Sequence, residues 1–206
     1  MRKWGKTGFC CLLLLTFTPF ALAQSPCASD VGTGPADGAI HFDEDSVTTP
    51  GPLGTRTPLI MIHGIHGNAS DWFELRQFLF SSTSFKSSYK IYLYSYPSDQ
   101  FPVCEVARSL RNQIDAMINA GAAGFNGPIV IIAHSMGGLV ARSYMNEFHL
   151  RSPGANGQRG GDTVRALITL GTPHHGTPAV NFDLRLPPNT AGDWDLLLDV
   201  IDSAYW

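Results

Sequence analysis

One serine lies between a strand-like run and a helix-like run, and its position suits a nucleophile. The run Ile129 to Ala133 is apolar and rich in β-branched residues, which predicts a buried strand. A helical pattern begins directly after Ser135. A turn this sharp strains the serine backbone and pushes its hydroxyl out of the sheet. It also requires small residues two positions before and after, and Ala133 and Gly137 fill those positions.

The resulting pattern is A-x-S-x-G, which is one methyl group away from the more common G-x-S-x-G. A serine in an ordinary strand–helix turn is the alternative interpretation. The preceding strand, the following helix and the additional small residue Gly138 favour a nucleophile elbow at Ser135.

A second loop, from Ile62 to Trp72, is expected at the carboxyl end of another strand. Its two glycines let the backbone approach a ligand closely and leave N–H groups available. Acyl transfer requires hydrogen-bond donors aimed at the developing oxyanion. The backbone N–H of Met136 would supply one donor and this loop the other. The alternative is a plain strand–helix turn that carries two loop histidines, His63 and His66.

Strand-like and helix-like runs alternate along the chain from Pro58 onward, which predicts an α/β protein. Such alternation gives a mostly parallel sheet with helices on both faces, and ligands bind beyond the carboxyl ends of its strands. The expected strands are 59–63, 89–96, 129–133 and 164–170, and the expected helices are 70–80, 103–120 and 137–148. Residues 24–57 are rich in Pro, Gly, Asp, Ser and Thr and are interpreted as an irregular surface lead-in with one short strand candidate, 39–42.

The amino terminus has the features of an export signal. Positive residues come first, and an apolar run from Phe9 to Leu22 follows, which is short for a membrane span. Ala21 and Ala23 then form an A-x-A cleavage site. We therefore predict a signal peptide over residues 1–23 and a secreted or periplasmic mature chain, with an uncleaved anchor as the alternative.

Composition bears on the expected partners, on cofactors and on a possible disulfide bond. The chain has a formal net charge of −3 and no basic cluster, so nucleic acid is not an expected partner. No His, Cys or Asp cluster has the spacing of metal ligands, so neither a metal nor an organic cofactor is implied. Cys27 and Cys104 remain after the leader, and in an oxidising compartment they are either one disulfide or two unrelated thiols.

Three motifs together resemble those of the α/β-hydrolases of the secreted lipase type. The motifs are His63-Gly64-Ile65 with Asp71-Trp72, Ala133-His-Ser-Met-Gly-Gly138, and Leu170-Gly-Thr-Pro-His-His-Gly176. They are also similar to motifs of the deacylases that remove a fatty acyl chain from the inositol of GPI anchors. The resemblance covers about residues 58–178 and implies an α/β-hydrolase core there.

The resemblance also implies roles for individual residues. Ser135 would be the nucleophile, and the N–H groups of Ile65 and Met136 would form the oxyanion hole. Supporting positions are His63, Gly64, Ala133, Gly137 and Gly138. The implied substrate is a carboxylic ester, in particular a lipid ester, reached through transient contact with a lipid interface. Residues 179–206 would begin a cap, with an ordinary amphipathic helix over 193–206 as the alternative.

The chain departs from the family pattern in its acid and base. An elbow serine needs a histidine base and a carboxylate that orients it, and in this fold both follow the serine on later loops. The last histidines are His174 and His175, at a pocket-wall motif. They are interpreted as structural loop residues, with a role as base as the alternative.

We therefore expect an amino-terminal portion of a longer hydrolase, with the carboxyl-terminal strands missing and very weak or no activity by itself. An acyltransferase or an amidase would use the same elbow, because only the acceptor or the leaving group differs. A non-catalytic binding module on a hydrolase scaffold is the alternative from another class.

Overall fold

One five-stranded sheet organises the described part of the computed structural model, residues 40–121, 123–146 and 160–175. Its strands are β1 (His41–Glu44), β2 (Thr57–Ile62), β3 (Tyr89–Ser95), β4 (Ile129–His134) and β5 (Val164–Leu170). The helices are α1 (Phe73–Phe80), α2 (Thr83–Ser88), α3 (Val103–Asn119), α4 (Met136–Asn146) and α5 (Gly160–Thr163). Short 3₁₀ turns occur at Ala69–Trp72 and Ala123–Asn126.

The sheet is mostly parallel, as predicted. Its strand order is β1-β3-β2-β4-β5, in which only β1 is antiparallel to its neighbour. Ile62 of β2 is paired with both Tyr94 of β3 and Ala133 of β4. The carboxyl ends of these three strands therefore meet at one edge, where the predicted functional loops begin.

Helices cover both faces of the sheet, because the central strands alternate between two apolar clusters. On one face, Ile60, Ile62, Tyr92, Tyr94, Ile129 and Ile131 pack with residues of α3 and α4. On the other face, Leu59, Met61, Ile91, Leu93, Val130 and Ile132 pack with Trp72 and with partly buried residues of α1 and α2. Strands that are apolar on both sides are typical of a parallel sheet buried between helices.

The helix predicted over 70–80 is divided in two. A 3₁₀ turn at Ala69–Trp72 precedes α1, and its cap is Asn68 rather than Ser70. The Asn68 side chain accepts from the Ser70 N–H, and Asp71 accepts from the Asn68 N–H, which forms a capping box. Helix α2 has no counterpart among the predicted elements, because its serine-rich sequence buries no residue and lacks an apolar period.

The segment before β2 is more than a surface lead-in. From Ile40 onward it supplies β1 to the sheet, and Ile40 and Leu53 are buried in the core. Lys90 of β3 is fully buried, and its ammonium donates to the carbonyls of Thr49 and Gly51 and pairs with Glu44. Residues 40–57 therefore belong to the packed body of the protein.

A buried ion pair connects the same segment to α1. The carboxylate of Asp45 accepts hydrogen bonds from Nε and Nη2 of Arg76 at 2.8 and 2.7 Å. Burial by itself would raise the pKa of Asp45, but hydrogen bonds from Arg76 and Thr48 and the charge of Arg76 outweigh it and hold that pKa below its usual value. The carboxylate is thus expected to be ionised in the folded protein at neutral pH.

This pair predicts a specific acid sensitivity. A carboxylate with a lowered folded-state pKa adds stability above its unfolded pKa of about 3.9 and loses it as pH falls through the folded-state value. Urea denaturation from pH 7 to 2 should show the Asp45→Asn variant losing less unfolding free energy below about pH 4 than the wild type. The exposed Asp43 is the matched control, and Asp43→Asn should follow the wild type. If Asp45→Asn and the wild type lost the same unfolding free energy at low pH, this assignment would be contradicted.

Several predictions concern residues outside the described ranges. These are the leader at 1–23, Cys27 and the cap at 179–206. Cys104 is buried near the start of α3 and is disulfide-bonded, but its partner also lies outside the described residues. Pairing with Cys27 stays a prediction. In the ranges that are described, no helix is both long and apolar enough to cross a membrane.

Candidate active site

Ser135 has the strained backbone that an elbow requires. It is the single residue between β4 and α4, and its φ of 49° lies in the left-handed region. Its N–H donates to the Leu170 carbonyl at 2.9 Å, and its own carbonyl accepts from the Gly138 N–H at 3.0 Å. Neighbouring elements therefore hold the turn in a conformation that a serine rarely adopts.

The small residues around the serine are explained by close packing. A Cβ at position 137 would overlap the carbonyl oxygens of Ile62 and His63, so α4 begins directly against the end of β2. A Cβ at position 138 would overlap the side chain of Thr172 in the third motif. Ala133 is fully buried in the core, so this backbone accommodates its one extra methyl group.

The loop after β2 passes directly against Ser135. A Cβ added at Gly64 would lie 2.7 Å from the Ser135 Cβ and 3.2 Å from the His134 carbonyl oxygen. Ile65 follows and packs partly buried against the core cluster. Within the described ranges, the N–H groups of Ile65 and Met136 donate to no protein acceptor. The oxyanion role of these two N–H groups stays a prediction.

His63 supports this loop as a neutral, buried residue. Its Nδ1 lies 2.8 Å from the Gly64 carbonyl, and its Nε2 accepts from the Tyr96 N–H at 3.2 Å. Burial lowers the pKa of the imidazole, although the hydrogen bond to Gly64 opposes the shift. The Tyr96 hydroxyl donates to the His63 carbonyl at 2.7 Å, and the two rings stack at 4.3 Å. Burial raises the pKa of Tyr96, so this hydroxyl keeps its proton.

Sequence reasoning missed the residues that hold this loop from the neighbouring strand. Tyr96, Ser98 and Asp99 lie in the connection from β3 to α3, and they contact His63 and His66. A signal was present, because polar residues directly after a predicted strand lie at the edge where ligands bind. The pairing of these residues depends on which strands are neighbours, and the local pattern does not contain that information.

The described histidines do not pair with Ser135. His174 places Nδ1 3.0 Å from an Arg142 nitrogen and Nε2 3.1 Å from the Thr169 hydroxyl. Because a guanidinium only donates, Nδ1 accepts, and the Nε2–H bonds Thr169. His174 also lines a groove of about 340 Å³ between α4 and β5, whose other lining residues exclude Ser135. This geometry favours the structural interpretation of His174. His134, beside the serine, is exposed.

The described residues were compared with the arrangement that a metal ion needs. No group of three or more His, Cys, Asp or Glu side chains there is arranged to hold an ion.

A family model and solved structures support the fold. A model of the PGAP1-like alpha/beta domain family matches residues 54–195, which is more than half of the chain. A comparison with curated proteins finds no match. The solved mature form of the Bacillus licheniformis lipase BlEst2 has a TM-score of 0.55 at 15% identity, over 80% of this chain and 66% of that chain.

Two further solved structures are more distant. Aspergillus fumigatus lipase B has a TM-score of 0.46 at 16% identity, over 68% of this chain and 29% of its own. Paleococcus ferrophilus monoacylglycerol lipase has a TM-score of 0.45 at 12% identity, over 72% of this chain and 52% of that chain. The likeness to BlEst2 shows the fold alone, and the predicted α/β-hydrolase fold is confirmed. The chain spans 66% of the length of BlEst2 and smaller shares of the other two.

Proposed function

Because the chain belongs to the PGAP1-like alpha/beta domain family, we propose that it is a serine hydrolase that cleaves carboxylic esters through an acyl-enzyme on Ser135. The observation that carries the proposal is the left-handed backbone of Ser135 at the end of β4, with Gly64 packed against it. Strain of this kind persists where the surrounding structure imposes it, as at an active site. An ordinary strand–helix turn has no need of it.

The proposed reaction uses the groups that meet at this edge of the sheet. The Ser135 hydroxyl oxygen attacks the ester carbonyl carbon while a base takes its proton, and the carbonyl oxygen becomes an oxyanion. The N–H groups of Ile65 and Met136 stabilise that charge, the alcohol leaves, and water then releases the acid. The base and its orienting acid are assigned to residues outside the described ranges, because no described histidine bonds the serine hydroxyl.

The substrate is proposed to be a lipid ester, and the site of action to lie outside the cytoplasm. The lipid assignment is supported by the PGAP1-like family and by the fold shared with BlEst2, itself a lipase. Export is supported by the leader-like residues 1–23. The proposed reaction uses no cofactor.

Chain-length dependence tests the lipid assignment. In the complete protein, p-nitrophenyl esters of longer acyl chains should be hydrolysed at least as well as the acetate, because each buried methylene contributes up to about 0.8 kcal/mol. That is roughly a fourfold gain in kcat/KM per methylene while the pocket still has room. The matched p-nitroanilides control for amide cleavage. A steep preference for acetate would move the assignment to a short-chain esterase, and a preference for anilides would move it to an amidase.

A further inference from the structure

The loop that carries the proposed oxyanion donor is attached at two points to the connection between β3 and α3. On one side of Gly64 and Ile65, His63 is held by Tyr96 through two hydrogen bonds and a stacked ring. On the other side, the His66 N–H donates to the Ser98 hydroxyl at 2.8 Å. Gly64 and Ile65 therefore lie between two residues, His63 and His66, that both bond to the connection between β3 and α3.

The hydrogen bond from His66 to Ser98 holds His66 in a backbone conformation that it would otherwise rarely adopt. His66 has a φ of 56°, in the left-handed region that a residue with a Cβ rarely adopts. The adjoining turn is closed by one backbone hydrogen bond, from the Gly67 N–H to the Gly64 carbonyl at 3.2 Å. The loop thus needs an outside partner to keep this shape, and the Ser98 hydroxyl provides one.

Two side chains of the β3–α3 connection contact His66, but they differ in what they can contribute. The His66 imidazole lies 2.6 Å from Asp99, and the side chains of this pair are 63% and 46% exposed. Exposed pairs of this kind contribute little, because water competes for both partners. Ser98 is only 2% exposed, so its hydrogen bond is shielded from water. Ser98 is therefore the main anchor on this side.

We propose that Ser98 is a positioning residue of the oxyanion hole, which acts through the His66 N–H to aim the Ile65 N–H at the substrate carbonyl oxygen. The inference rests on the proposed ester hydrolysis at Ser135. Ser98 does not contact the substrate in this arrangement. Its removal should weaken a donor needed in the transition state and leave binding of the ground-state ester unchanged.

The test is Ser98→Ala in the complete protein, with a p-nitrophenyl ester as substrate. Removing an oxyanion donor outright costs about 10²–10³-fold in kcat, so misplacing one should lower kcat by roughly tenfold. KM should stay within about twofold, and a trifluoromethyl ketone inhibitor should bind more weakly by the same factor as kcat falls. The matched control is Ser143→Ala, which removes another buried serine hydroxyl and should leave all three quantities unchanged.

A second variant guards against loss of folding. Ser98→Cys keeps a side chain of similar size but replaces the acceptor with a weak one, so the same fall in kcat is expected at an unchanged thermal midpoint. Wild-type kcat in both variants, or a raised KM at unchanged kcat, would overturn the positioning role. A wild-type protein that neither hydrolyses the ester nor reacts with a fluorophosphonate at Ser135 would overturn the proposed function and this inference together.

Discussion

Ser135→Ala should abolish both fluorophosphonate labelling and p-nitrophenyl ester hydrolysis in the complete protein. The substitution removes the oxygen that forms the acyl-enzyme, and losses of about 10⁴–10⁶-fold in kcat are usual for such a change. The Cβ that packs against Gly64 is kept, so the elbow should remain folded. Labelling is read by mass spectrometry of the modified peptide, and turnover by release of p-nitrophenol.

Ser143→Ala is the matched control for this experiment as well. Ser143 lies on α4, the helix that begins after Ser135, and its buried hydroxyl has no hydrogen-bond partner among the described residues. This variant should label and turn over like the wild type. If Ser135→Ala were still labelled while its thermal midpoint matched that of the wild type, another residue would be the nucleophile.

Among substitutions that add one methyl group to the turn around Ser135, Gly137→Ala should lower stability and activity the most. The added Cβ would overlap two backbone carbonyls of the β2 end, which no side-chain rotation can relieve. Overpacking typically costs about 1–3 kcal/mol and occasionally more, a large share of the roughly 5–15 kcal/mol of unfolding free energy of a typical domain. The start of α4 would have to move, and with it the Met136 N–H, so kcat should fall by roughly 10²-fold.

Gly121→Ala separates steric overlap from backbone strain. Gly121 has a φ of 87° with nothing within 4 Å of its added Cβ, so alanine there should cost about 1 kcal/mol and leave kcat unchanged. Urea denaturation and steady-state kinetics of the two variants give the comparison. Insoluble Gly137→Ala beside soluble Gly121→Ala would agree with the expectation. Equal stability and activity in the two would show that the elbow has room for the methyl group.

Local patterns in the sequence were sufficient for the elements that carry the site. β5 has the predicted bounds, Val164–Leu170, because a β-branched run between turn residues has few other solutions. The strand–turn–helix around Ser135 was predictable for a similar reason, because its strand, turn and helix occupy fewer than twenty consecutive residues. Ser135 has the strained backbone that this motif predicts.

What the sequence did not reveal depends on contacts between distant residues. Ser98 and His66 are 32 positions apart and meet only because β2 and β3 are neighbours in the sheet. The buried roles of Asp45 and Lys90 were hidden for the same reason, since Asp45 binds Arg76 and Lys90 binds Thr49, each more than 30 positions away. Helix α2 was missed because nothing apolar marks its period.

The unequal covering of the two sheet faces has a consequence for motion. Helices α1 and α2 contain no buried residue, whereas α3 buries five and α4 eight. Local opening has a low free-energy cost where little apolar surface becomes exposed, so we expect α1 and α2 to open before α3 and α4. Ser135 and Met136 belong to the opposite face, through α4. Local opening of the outer helices should therefore leave the turn at Ser135 intact, because that turn is attached to the more deeply buried α4.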